Sequence, residues 1–480
     1  MHASPRRLAW TLAAALTLAV GAAAMPASAL ASTGQTTYFE APTELLSAKL
    51  RPAALNTLQG LGIHSLRIVM YWEDVAPSPN SATTPKVDLT NPKNYNWGQY
   101  AALLAAAHQL HWTVMLDVSG PVPKWATATH KDHVTRPDPL DFQRFMTAVG
   151  REFSSEVALW SIWNEPNHPF FLMPQWNANK TPASPLIYRD LWESGYTGLR
   201  DAAIKTPKVL IGETAPTGYE RTTGLHDVAP ITFLQGVLCL NSKYKKASTC
   251  SSLPAVGWAH HAYTIPAGPY YKVPDPNDVT IGTLSRLTHA LDLAAAAGAI
   301  KGGLPVYLTE FGWQTKPNKQ LAVSPANQAV FDAVSEHIAY SNPRVAAFSQ
   351  YLLRDDPVGG PAGSSVNGGY VGFQTGLEYI NGTPKPLFYG FRLPLTVERT
   401  SGGFSLWGLV RPAKGTTRVQ VLVRYKGAKK SVNLARSVTT NIHGYWTLHT
   451  SARDAVSFAV RWRSPTGTLY TGATITPYFR

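Results

Sequence analysis

The chain is poor in the residues that would tie it to metal or redox chemistry. Its 480 residues include only 2 cysteines. No H-E-x-x-H or C-x-x-C pattern occurs, so a zinc site of either spacing is excluded. No organic cofactor and no metal is implied. Acidic residues are also scarce, 29 against 43 Lys and Arg. Beyond the first two dozen residues no apolar stretch reaches the ~18 needed to span a membrane. There is no clear internal repeat and no low-complexity linker, so two units packed closely together are expected.

What is present suits a large exported protein. Hydrophobic residues make up 44% of the chain, with 14 Trp, 21 Tyr and 16 Phe, ample for a sizeable core. The length fits a large barrel with an accessory module better than one ordinary domain. The chain opens with Arg6-Arg7, an apolar run from Leu8 to Ala24, and small residues beyond. This is the pattern of a secretion signal over residues 1–31, with Ala27-Ser28-Ala29 and Ala29-Leu30-Ala31 both fitting a cleavage site. A secreted, extracellular and monomeric protein is expected. Export makes a disulfide between Cys239 and Cys250 permissible; closing that loop is worth about 3 kcal/mol in the chain-entropy model. Two buried free thiols are the plainer alternative.

Charge is unevenly spread. Without Arg6 and Arg7 the chain holds 41 basic and 29 acidic residues, net +12. From Leu395 to Arg480 there are 13 Lys and Arg against Glu398 and Asp454 alone, so that tail carries +11 and the rest about +1. A basic module on a neutral partner points to an anionic polymer, an acidic polysaccharide or cell wall, and not to nucleic acid. A solvated basic surface that aids solubility is the bland alternative.

From Thr36 onward short β-like runs alternate with helical stretches, the signature of β/α units. The runs are Thr36–Phe39, His64–Tyr71, Trp112–Val118, Val157–Trp163, Val209–Glu213, Val256–Tyr263, Val306–Glu310 and Val345–Leu352. Between them, segments such as Trp97–Leu110, Asp141–Phe153, Tyr188–Ile204, Leu284–Ala299 and Pro325–Tyr340 repeat apolar residues at three and four positions. Eight such units predict an α/β fold, a (β/α)8 TIM barrel over residues 32–392. Beyond Pro394 the helical pattern stops. Runs Phe404–Val410, Arg418–Tyr425, Tyr445–Thr450 and Val456–Trp462 predict a small all-β sandwich of Ig-like type over residues 393–480.

Two segments carry chemistry: Trp163-Asn164-Glu165-Pro166-Asn167 and Tyr307-Leu308-Thr309-Glu310-Phe311-Gly312-Trp313. Each puts a glutamate at the C-terminal end of a buried run, where the active sites of such barrels lie. Two carboxylates facing one another across about 5 Å can act as acid/base and nucleophile in retaining glycoside hydrolysis. On geometry alone either glutamate can take either role, and paired surface glutamates are the plain alternative.

The first segment resembles the acid/base signature of glycoside hydrolase clan A, carried after strand four. Thr309-Glu310-Phe311-Gly312 resembles the same clan's nucleophile segment after strand seven. The resemblance covers residues 36–392, with families 5 and 39 the nearest within the clan. It implies a retaining glycosidase with Glu310 as nucleophile and Glu165 as acid/base, the latter needing a raised pKa before attack. It further implies that Asn164 bonds the sugar 2-hydroxyl and that Arg67 keeps the nucleophile ionised. His261-Ala262-Tyr263 resembles the strand-six His-x-Tyr, whose Tyr contacts the nucleophile; His260 should point the other way. The clan's strand-eight Trp is missing from Phe348-Ser349-Gln350-Tyr351. Tyr351 or Gln350, or Trp313 after the nucleophile, is expected to take its place.

Trp72, Trp125, Trp163, Phe170, Phe171, Trp176 and Trp313 are expected around the mouth, Trp125 and Trp313 above all as sugar platforms, against the alternative that they are plain core. Glu213, after strand five, is a weaker candidate contact. The expected substrate is an oligo- or polysaccharide. Two other readings stay open: a transglycosylase using the same site, and a non-catalytic carbohydrate- or wall-binding protein.

Overall fold

The computed structural model describes residue 32 and residues 34–218, 226–248, 250–357 and 372–478. The expected export segment, residues 1–31, lies outside them. Eight strands close into a parallel barrel in chain order, β8 pairing back onto β1. They are β1 (Thr36–Glu40), β2 (Ser65–Tyr71), β3 (Thr113–Ser119), β4 (Leu159–Ile162), β5 (Val209–Thr214), β6 (Gly257–His261), β7 (Val306–Glu310) and β8 (Val345–Tyr351).

Side chains on a strand alternate in direction, and that alternation builds the site. Outward residues such as Phe39, Leu66, Ile68, Val114, Leu116 and Leu308 join the large core under the surrounding helices. Tyr38, Met115, Leu159, Leu210, Ala259 and Ala347 form a separate apolar cluster, the floor inside the barrel. Two residues further along β1, β3 and β6 stand Glu40, Asp117 and His261. The interior therefore changes from apolar to charged within one pleat, toward the C-terminal ends of the strands.

The helices follow their sequence signals. Pro139–Phe153 begins at Asp138, whose side chain accepts from the Asp141 amide, and Pro325–Tyr340 is capped likewise by Ser324. A helix over Arg51–Leu61 was not apparent from the sequence, because Asn56, Thr57 and Gly60 weaken its propensity. Burial of Leu55, Leu58 and Leu61 holds it instead. Among the described residues no helix is long and apolar enough to cross a membrane.

The C-terminal strands are β9 (Leu395–Thr400), β10 (Gly403–Leu409), β11 (Arg418–Tyr425), β12 (Val432–Thr439), β13 (Tyr445–Thr450), β14 (Ala455–Arg463) and β15 (Leu469–Thr471). They form two antiparallel sheets, β13-β10-β9 and β12-β11-β14-β15. Val397, Phe404, Leu406, Val419, Val421, Phe458, Val460 and Trp462 share one core. β9, β12 and β15 are additions to the expected four strands; the first two are interrupted by charge and the last has three residues.

The sheets sit directly on the barrel. Arg411 donates from Nη2 to both Glu336 oxygens at 2.9 and 2.8 Å and from Nη1 to Thr37 Oγ1 at 2.6 Å. Its guanidinium also lies 4.0 Å from the centre of the Phe391 ring. His337 stacks on Trp407 at 4.8 Å. Gly62, in a left-handed conformation (φ 91°), lets the chain at Arg411 and Pro412 approach so closely that a Cβ would sit 2.6 Å from their backbone.

Candidate active site

Arg67 is the hub of the barrel mouth. It is 1% exposed, and no other described residue pairs with so many of the site's acids. Its Nη1 donates to Glu40 and, at 3.2 Å, to Glu310 Oε2. Its Nη2 donates to Glu213, to Asp117 Oδ2 at 3.2 Å and to Asn164 Oδ1 at 2.7 Å. Four strands besides its own thus send a carboxyl group to one guanidinium. A buried charge persists only when it is paired in this way.

His261 makes the second junction. Its Nδ1 lies 2.9 Å from Glu165 Oε1 and 3.6 Å from Glu310 Oε2, and its Nε2 lies 3.3 Å from Glu213 Oε2. Tyr263 donates its hydroxyl to Glu310 Oε1 at 2.7 Å. The expected group Asn164, Glu165, Arg67, His261, Tyr263 and Glu310 is therefore gathered in one place.

Backbone irregularity aims these side chains. Trp163 and Glu165 have φ of 74° and 41°, and Glu213 has φ of 49°, a conformation costly for residues with a Cβ. Pairing also slips between Gly212 and Thr214 on β5 and between His260 and His261 on β6. The second slip brings Glu310 level with His261. Bulges of this kind re-aim a side chain that strict alternation would send outward. The main chain of Glu165 is tied to β5, its N–H donating to the Glu213 carbonyl at 3.0 Å.

The charges shift one another. Burial alone would lower the His261 pKa, but Glu310, Glu165 and Glu213 raise it to about 10, so the ring carries a proton at neutral pH. Burial alone would raise Glu165 and Glu213. For Glu165 the hydrogen bond and charge of His261 prevail and hold it below the usual range. For Glu213 the charge of Arg67 leads, and its pKa falls to about 2. Burial pushes Glu40 up to about 7 against the pull of Arg67. Asp117 is raised well above the usual range by burial and then by Glu213. A raised Glu165 was expected from the sequence; the structure reverses the sign because His261 donates directly to it.

Other expectations are corrected. Trp313 is 2% exposed; its indole N–H donates to Ser335 Oγ at 3.2 Å and its ring packs on Phe331. Trp125 is 2% exposed, with its N–H on the Pro77 carbonyl and its ring edge-on to Trp72. It borders a cavity of about 330 Å³ that includes His130, Arg136, Asp138 and Asp190 but none of the mouth's acids. Trp72, Trp163 and Trp176 are buried as well. Trp72 and Trp163 both pack against Phe142 of the Pro139–Phe153 helix, and Trp176 donates its indole N–H to the His226 carbonyl at 2.8 Å. Glu213, offered as a substrate contact, is fully buried under Arg67 and His261. Gln350 is also buried, its amide donating to the carbonyls of Tyr351 and Thr375.

Tyr351 does face the mouth, and the charges of Glu310 and Glu40 add to burial in raising its pKa. Phe373, passed over in the sequence, lies beside it, its ring 5.3 Å from Tyr351 and 6.1 Å from Tyr263. It is 36% exposed. Glu40 and Asp117 were also passed over; their signal was a carboxylate at an inward position of an apolar run. His260 turns away as expected, held by Thr214 Oγ1 at 2.8 Å and the Val279 carbonyl at 3.0 Å. Cys239 and Cys250 are joined by a disulfide.

No protein-family model and no curated protein matches this chain. Its fold is similar to that of solved structures. One is a glucosidase from Croceicoccus marinus, 11% identical, with a TM-score of 0.53, covering 91% of this chain and 96% of the other. A second is a family 39 glycoside hydrolase from the gut symbiont Bacteroides cellulosilyticus WH2, 13% identical, with a TM-score of 0.50, covering 88% and 81%. At such identities the likeness establishes the architecture, a (β/α)8 barrel followed by antiparallel sheets.

Proposed function

We propose that this chain is a secreted retaining glycosidase that cleaves O-glycosidic bonds in an oligo- or polysaccharide. One observation carries the reading: Glu165, after β4, and Glu310, at the end of β7, meet at one barrel mouth and share His261 Nδ1. Contacts of 2.9 and 3.6 Å to that atom keep Glu165 Oε1 and Glu310 Oε2 within about 6.5 Å of each other, their sum. Direct attack needs carboxyl groups about 5–5.5 Å apart, while room for an activated water needs about 6.5–9.5 Å. The likeness in fold to a glucosidase and to a family 39 glycoside hydrolase supports the same reading.

In the first step a Glu310 oxygen attacks the anomeric carbon and the bond to the leaving oxygen breaks. Glu165 delivers a proton to that oxygen and takes one from His261, which stores it in the resting site. Arg67 and Tyr263 hold the Glu310 carboxylate for attack. Asn164 gives its carbonyl oxygen to Arg67, leaving its amide N–H groups for the sugar 2-hydroxyl. In the second step Glu165 removes a proton from water, the water oxygen attacks the anomeric carbon, and Glu310 is freed. The proton returns to His261. Tyr351 and Phe373 supply the apolar surface on which a sugar ring packs, in place of a strand-eight Trp.

The test is hydrolysis of a panel of aryl glycosides and of plant and microbial polysaccharides by wild type, Glu165→Gln and Glu310→Gln. Both variants are expected to lose about three orders of magnitude or more. An added sugar acceptor separates hydrolysis from transglycosylation. His261→Asn adds a sharper reading. In wild type the alkaline limb of kcat/KM follows loss of the stored proton, near the His261 pKa of about 10. In the variant the limb moves toward acid. A limb that stays in place removes His261 from the proton path.

A further inference from the structure

We propose that the outer face of the β12-β11-β14-β15 sheet is a binding surface for a carboxylate-bearing polysaccharide. The proposal rests on the glycosidase reading only in choosing a sugar polymer as the occupant. Strand alternation places Val419, Val421, Val423, Phe458, Val460 and Trp462 in the shared core. The opposite face of β11 and β14 then carries Arg418, Gln420 and Arg424 with Arg461 and Arg463, alongside buried Leu422, Ser457 and Ala459. Gln420 pairs across from Arg461, and one step further out Arg418 stands level with Arg463. Neighbouring strands are about 4.8 Å apart and alternate residues about 6.8 Å, so three guanidinium groups crowd one end of the sheet.

This arrangement costs stability in the free protein, since like charges facing one another across strands repel. Protection of a sheet edge does not explain it, because β11 and β14 are the two central strands. Pairing with acids does not explain it either: Arg463 Nη1 donates to the Gly467 carbonyl at 2.7 Å and Arg424 Nε to Ser457 Oγ at 3.2 Å, both neutral acceptors. Among the described residues no carboxylate forms an ion pair with Arg418, Arg424, Arg461 or Arg463, and Arg461 Nε is buried without a hydrogen-bond partner. The module as a whole has only Glu398 and Asp454 against 13 basic residues.

Planar guanidinium forks match carboxylates in a bidentate manner. Exposed Gln420, Asn433, Ser437, Thr439 and Thr471 stand among or beside them and suit the hydroxyls between the acid groups of a uronic-acid chain. Because Arg411 locks the module to the barrel, a polymer held on this face takes a fixed orientation relative to the barrel.

The experiment measures binding of the full chain to polygalacturonate, with dextran, duplex DNA and vesicles of phosphatidylglycerol and phosphatidylcholine as competitors for the assignment. Wild type is expected to bind polygalacturonate and not dextran, more weakly as salt rises from 0.05 to about 0.15 M. The triple variant Arg418→Gln, Arg461→Gln, Arg463→Gln is expected to lose about tenfold or more in affinity. Its melting temperature should be no lower than that of wild type, any barrel activity on small glycosides should match wild type, and the triple Lys variant should retain part of the binding. Glu310→Gln should bind as wild type does, which separates this face from the mouth. No binding at low salt, or unchanged binding by the Gln variant, overturns the proposal. Tighter binding to DNA or to the vesicles than to polygalacturonate overturns the choice of partner.

Discussion

The barrel mouth and the outer face of the β11–β14 sheet hold charge in opposite ways. In the mouth Glu40, Asp117, Glu213 and Glu310 converge on one buried Arg67, and the site survives because each charge has a partner or a proton. On the sheet, guanidinium groups of one sign stand side by side with no carboxylate among them. Water makes that difference. Removing an ion from water costs several kcal/mol unless another group replaces the solvent, whereas an exposed ion keeps its hydration and needs no partner. The mouth is therefore built to fix positions, and the sheet face is left open to an ion from outside.

Breaking the hub should have the largest effect. Arg67→Met leaves four carboxyl groups around an apolar side chain, and a loss of about 3–5 kcal/mol in unfolding free energy is expected. Denaturant midpoints measure it; a change below 1 kcal/mol would mean that the acids hold protons and never needed Arg67. Next comes the disulfide, which lies outside both regions. Cys239→Ser with Cys250→Ser should cost about 3 kcal/mol through the chain entropy of a short loop, while leaving the proposed glycoside hydrolysis intact.

Asp332, at the junction between barrel and module, is a buried carboxyl that lacks the pairing seen in the mouth. Burial and then Glu336 raise its pKa to about 8, and its Oδ1 has no partner. The folded state holds this proton up to about pH 8, whereas an unfolded Asp releases it near 3.9. Stability should therefore fall as pH climbs between those values. Asp332→Asn should remove that slope, with a gain of about 1–3 kcal/mol at pH 9 and none at pH 4. Equal stability of the two proteins at pH 9 would show that the charge is relieved elsewhere. The smallest effect is predicted on the open face, where Arg424→Gln should shift stability by no more than about 0.5 kcal/mol. A larger loss would mean that its Nε contact to Ser457 Oγ, at 3.2 Å, is structural.

Much of the mouth was legible because its residues end apolar runs. Glu165 and Glu310 each follow a buried strand, and Arg67, His261 and Tyr263 lie in or just after such strands. Glu40 and Asp117 sit in equally plain positions, yet a single carboxylate in a strand says nothing of what lies across the barrel. The tryptophans misled for a related reason. Trp125 and Trp313 follow strand ends, but whether an indole faces the mouth or the helices depends on how the next loop folds back. The exposed aromatic beside Tyr263 is Phe373, more than 100 residues further along the chain.

Local pattern was enough to place the barrel strands, to locate the two glutamates at strand ends and to reveal a basic module on a neutral one, because periodicity and composition are properties of neighbouring residues. Closure of eight strands into one barrel decided the rest. It set which carboxyls share Arg67, turned His261 between Glu165 and Glu310, and reversed the expected shift of Glu165. Those outcomes depend on distances between residues from different strands, and such distances exist only once the sheet has closed.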